Sequence, residues 1–178
     1  MSVPEAGLRR QARRAYELGR VERAARGALL LAPILAVSLY GCAAPGKTLA
    51  CAAVLLAAVA CFLWRGEGYA EGVRPGVIAG VIPLLVPALV RAGGHLCAAD
   101  VCLLFPTLCA AGGLAGGALL GALAPRLRPD RPAPFLVACS VASLMGAVGC
   151  VLYGYVGLGL MAAGLAAGAM PLLAARRA

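Results

Sequence analysis

The sequence is short of acids, of aromatics and of histidine. Seven Asp and Glu residues stand against sixteen Lys and Arg, aromatics make up 5% of the chain, and His95 is the single histidine. Charged residues reach only 13%, where a soluble domain carries about 25%. With 62% hydrophobic residues over 178 positions, a water-soluble fold has too little polar surface to cover its apolar side chains. The familiar catalytic signatures are missing too. There is no Walker loop, no HExxH, no nucleophile elbow and no Rossmann glycine pattern. Gly46, Lys47 and Thr48 imitate the end of a phosphate loop without its upstream glycine. Catalysis needs positioned acids, bases or nucleophiles, and here only cysteines are on offer, so neither an enzyme nor a bound cofactor is expected. No Asp, Glu, Lys or Arg lies deep in an apolar run, which argues against a proton-coupled path.

What the chain does have is glycine, alanine and long apolar runs. Small residues let membrane helices approach closely where lipid supplies no hydrophobic drive between them. The runs fall at about 28–44, 48–64, 75–90, 101–124, 134–153 and 157–173, against the ~20 residues that one span needs. This predicts an all-α, polytopic integral membrane protein, a six-transmembrane-helix bundle over 28–175. The last two spans come from one apolar stretch, split at Gly154–Gly157; a single bent helix there would leave five spans. Pro83 and Pro87 in the third run each remove a backbone donor. Gly112, Gly113, Gly116, Gly117 and Gly121 in the fourth make overlapping small-xxx-small pairs.

Segment 1–27 is polar and basic, with Leu8, Ala12, Ala15 and Leu18 at helical spacing. It is read as an amphipathic helix on an anionic inner leaflet. The net charge of +9 fits the positive-inside rule better than nucleic-acid binding, because the arginines sit between apolar runs. Seven N-terminal arginines, Arg65, Arg74, Arg126, Arg128, Arg131, Arg176 and Arg177 fall on one side, leaving Lys47 and Arg91 on the other. Both termini are therefore expected in the cytoplasm and the bundle in the cell inner membrane. Leu39–Cys42 imitates a lipoprotein cleavage box, but the basic region before it is too long.

Eight cysteines are the only reactive groups. Under this topology Cys42, Cys51, Cys97, Cys102, Cys109 and Cys150 lie toward the outer half, and Cys61 and Cys139 toward the inner half. His95, Cys97 and Cys102 form the densest cluster and are candidate ligands for a soft metal. Cys97 and Cys102 are equally candidates for a periplasmic disulfide or a redox sensor, and plain packing explains many cysteines in such a chain.

Cys102 ahead of Leu103, Leu104 and Pro106, the basic loop from Arg126 to Pro134, and Cys150 near the end of the fifth run are similar to the six-helix membrane anti-sigma factors of the NrsF type. The resemblance covers about 97–175. It implies a bundle that sequesters a cytoplasmic sigma factor and senses redox or metal stress through Cys102 and Cys150. Two other readings stay open: a small transporter for a soft metal or neutral solute, lined by Pro83, Pro87 and Cys109, and an accessory subunit docked on another membrane subunit through glycine-rich faces. A homo-oligomer is compatible with each.

Overall fold

The computed structural model describes residues 5–40, 45–92, 104–124, 132–150 and 154–174. Among the described residues the chain is all-helical, with six helices: α1 Glu5–Tyr40, α2 Pro45–Arg65, α3 Glu67–Ala92, α4 Leu104–Leu123, α5 Ala133–Cys150 and α6 Gly154–Ala174. Three of them contain stretches long and apolar enough to cross a membrane, Gly46–Arg65, Gly68–Val86 and Ala133–Cys150. Thr107–Leu123 and Tyr155–Pro171 are shorter apolar helices. These stretches point to a membrane protein, since a helix satisfies every interior backbone group within itself and so tolerates lipid.

Two boundaries differ from the reading of the apolar runs. The basic N-terminal stretch is not a separate helix but the first part of α1, which runs unbroken for 36 residues. Arg, Glu and Ala are good helix formers, so nothing between Glu5 and Gly27 stops the helix when the composition turns apolar. The charged stretch after Arg65 is likewise helical from Glu67 onward. The chain turns there on Gly66 alone, whose φ of +111° lies in the left-handed region that glycine occupies without strain. The Gly66 carbonyl then accepts from the Tyr69 and Ala70 amides at 3.1 and 3.0 Å. The last apolar stretch is two helices, and Gly154–Gly157, read as a turn, opens α6.

The helices pack as three pairs. α3 and α5 form the centre, because residues of both enter two separate hydrophobic clusters. In the first, Val73 and Leu84 of α3 and Val137, Val141, Met145 and Val148 of α5 meet Leu31 and Leu35 of α1 and Ala52, Leu55 and Val59 of α2. In the second, Ala79 of α3 and Ala138, Ala142 and Cys150 of α5 meet Cys109 and Leu120 of α4 and Met161 and Leu165 of α6. The α1/α2 hairpin thus covers one side of the central pair, and α4/α6 covers the other.

Glycine sets the distance within two of these pairs. Gly72, Gly76 and Gly80 of α3, one helical turn apart, face Pro134, Ala138 and Met145 of α5; a Cβ on Gly76 would stand 2.7 Å from the Ala138 carbonyl oxygen. Matching positions rise together along both helices, so α3 and α5 run parallel. The same holds for α4 and α6, where Gly113 and Gly117 face Met161 and Leu165, and Gly164 and Gly168 face Ala110 and Leu114. The close approach expected of the α4 glycines is therefore present, toward α6 at Gly113 and Gly117 and toward α3 at Gly112 and Gly116.

Candidate functional site

The chemistry-bearing side chains gather at two places. The first is a pair of thiols between the central helices and α4/α6. Pro106 stands in the first turn of α4, where its missing N–H costs the helix no internal bond. Cys109 follows one turn later. Cys150 is the last residue of α5. Their sulfurs are 3.0 Å apart, with the Cys150 thiol donating to Cys109 Sγ. Cys109 is 3% exposed and Cys150 0%. A disulfide needs about 2.05 Å, so closing this pair takes roughly 1 Å of approach.

Helix α3 passes the pair at its prolines. Pro83 cannot donate to the Ala79 carbonyl, and Pro87 cannot donate to that of Pro83. Small residues stand against both freed carbonyls. A Cβ at Gly116 of α4 would lie 3.0 Å from Ala79 O, and one at Gly149 of α5 would lie 3.2 Å from Pro83 O. Gly149 immediately precedes Cys150, and Gly112, one turn beyond Cys109, approaches Pro83 Cα at 3.3 Å by the same measure. The thiols thus sit where three helix backbones converge on a segment whose hydrogen-bond ladder is broken.

The second place is the basic half of α1. Arg20 reaches from α1 to the end of α2, where it donates to the Trp64 carbonyl. That oxygen is among the last carbonyls of α2, which have no partner inside the helix. The guanidinium also stacks on the Tyr16 and Trp64 rings, 5.4 and 5.6 Å from their centres. A cation at this end also complements the α2 dipole. Around it, Arg13–Glu17 and Glu22–Arg26 make surface pairs one turn apart, at 3.5 and 2.5 Å. Leu8, Leu18 and Val21 are exposed beside them. The surface is therefore both basic and apolar.

Of the residues singled out from sequence, Cys109 and Cys150 are placed in the thiol pair. His95, Cys97 and Cys102 lie outside the described residues, as do Cys42 and the arginines at 126–131. Among the described residues no three His, Cys, Asp or Glu side chains gather into a group that could hold a metal. Cys51 and Cys139 are partly buried and Cys61 is exposed, all three as free thiols. The partnership of Cys109 with Cys150 is absent from the sequence reading, which placed the one on a transport path and the other in a sensor. Their separation of 41 positions carries no local signal; only the shared outer depth of the two hinted at it.

No protein-family profile matches the chain, and neither a curated protein nor a solved structure matches it.

Proposed function

We propose that the chain is a six-span inner-membrane signalling protein with cytoplasmic ends. It holds a soluble regulator at its basic side and takes a redox input through cysteines at its outer side. The regulator implied by the anti-sigma resemblance is a sigma factor. The observation that supports this reading most is the division of the two sites. Arginines dominate the first half of α1 and meet α2 at its Trp64 end, whereas the thiol pair lies at the Cys150 end of α5 and near the opening of α4. In a bundle of six alternating spans, those ends are on opposite membrane faces. The burial of Cys109 against Cys150 favours a thiol pair over a side chain lining a solute path. The α3/α5 pair touches both the α1/α2 hairpin and α4/α6, which gives a contiguous route between the sites.

The test is the distribution of sigma factors between cytosol and membrane in cells expressing the full chain. A sigma factor is expected to move to the membrane fraction and to return to the cytosol with Arg10→Glu plus Arg14→Glu. Both arginines are exposed, so the exchange reverses surface charge without touching the core. Identical distributions with the two chains would overturn the proposal.

A further inference from the structure

We propose that Cys109 and Cys150 form a reactive dithiol whose substrate is a small neutral hydroperoxide, and that its product is a disulfide fastening α4 to α5. This deepens the redox input proposed above by naming the site and the oxidant class. Three observations carry it. The two sulfurs are already 3.0 Å apart and linked S–H to S. Both are almost wholly buried among apolar neighbours, with Met161, Leu165 and Ala142 in the same cluster. Such surroundings disfavour charged oxidants relative to a neutral one, because an ion loses its hydration there without compensation. Finally, the bond would join two helices with little packing of their own. α4 is bound chiefly to α6, and α5 chiefly to α3, so the thiols straddle the junction between two glycine-zipped pairs.

The chemistry balances within these groups and the peroxide. Cys109, which retains the small exposure, attacks the terminal peroxide oxygen. The O–O bond breaks, the thiol proton goes to the departing oxygen, and an alcohol or water leaves a sulfenic acid on Cys109. Cys150 Sγ then displaces the hydroxyl, which takes the Cys150 proton and leaves as water. Two thiols have lost two electrons and two protons, and the hydroperoxide has become an alcohol, or water, plus water. Thiol reductants reverse the step by exchange.

The experiment uses the full chain in proteoliposomes treated with tert-butyl hydroperoxide, then unfolded, alkylated, digested and read by mass spectrometry. A peptide joining Cys109 to Cys150 is expected. It should vanish on reduction and be absent from Cys109→Ala and Cys150→Ala. In Cys150→Ala, a sulfenic-acid reagent should label Cys109. Recovery of both cysteines as alkylated thiols after peroxide would overturn the proposal. So would a bond from either one to Cys102, to another cysteine or to a second chain. The unsubstituted chain decides the question even if a variant does not reach the membrane. A bond that forms without changing the sigma-factor distribution leaves the dithiol standing and removes the signalling reading. If no bond forms while Arg10→Glu plus Arg14→Glu still releases the sigma factor, signalling survives and the dithiol falls.

Discussion

The two flanks of the central α3/α5 pair are built from different materials. On the α1/α2 side, Leu31, Leu35, Leu55 and Val59 interdigitate with Val73, Val137 and Val141. Branched side chains fill that space, and they repack when one of them changes volume. On the α4/α6 side, glycines bring backbone against side chain and backbone, with Gly116 at Ala79 and Pro83, and Gly112 at Pro83. Inside the α4/α6 pair the approach is closer still, with Gly117 against the Leu165 backbone. A backbone has no rotamers to change. The first flank is therefore forgiving and the second is a fixed fit, and the thiol pair lies in the second. A bond formed in a fixed fit moves whole helices, whereas one formed in a forgiving flank would be absorbed by side chains.

The sharpest way to break that contrast is to give the fixed flank a side chain. Gly117→Leu should separate α4 from α6 and cost about 3 kcal/mol or more, at or beyond the usual range for overpacking. Gly159→Leu is the control; a Cβ there meets nothing within 4 Å, and the change should stay within about 0.5 kcal/mol. Denaturation in mixed detergent micelles, followed through Trp64 fluorescence, measures both. Equal effects of the two substitutions would end the distinction. The forgiving flank is probed next with Leu55, which is 0% exposed. Leu55→Ala should cost about 2–5 kcal/mol through the cavity it leaves, yet Leu55→Met should cost less than about 1.5 kcal/mol in the same assay. A severe loss with methionine would mean that this flank is as rigid as the other. The smallest effect is expected at the edge of the hairpin. Arg20→Ala removes the ring stacking and the α2 cap, about 1 kcal/mol at a partly exposed site. Its signature should be faster proteolysis within residues 5–26, with the unfolding of the remaining bundle unchanged.

How much of this was legible in the sequence depended on the range of the signal. Helix class and the six helical segments followed from composition and run length, because lipid leaves the backbone few choices. The glycines of α4 announced a close partner by their spacing, but not which helix it was. The Gly72, Gly76 and Gly80 series is equally visible in its four-residue spacing, and it proves to be the face α3 turns to α5. The start of α3 at Glu67 lies ahead of the apolar run that opens near 75, because charged residues are good helix formers and extend the helix beyond the apolar stretch. Arg20 was one arginine among seven until Trp64 came beside it. The thiol pair was the least legible feature, since it exists only when two cysteines 41 positions apart are brought together by helix packing.

Helix α1 carries one more implication. At about 1.5 Å per residue its 36 residues extend roughly 54 Å, well past the ~30 Å of a hydrocarbon layer. Pro33 breaks the hydrogen-bond ladder between Leu31 and Leu35, so it is the seated Leu31 and the arginine-studded end that are joined as one axle. Turning the seated end by a fraction of a turn would swing Arg10 and Arg14 through the same arc in the surrounding water.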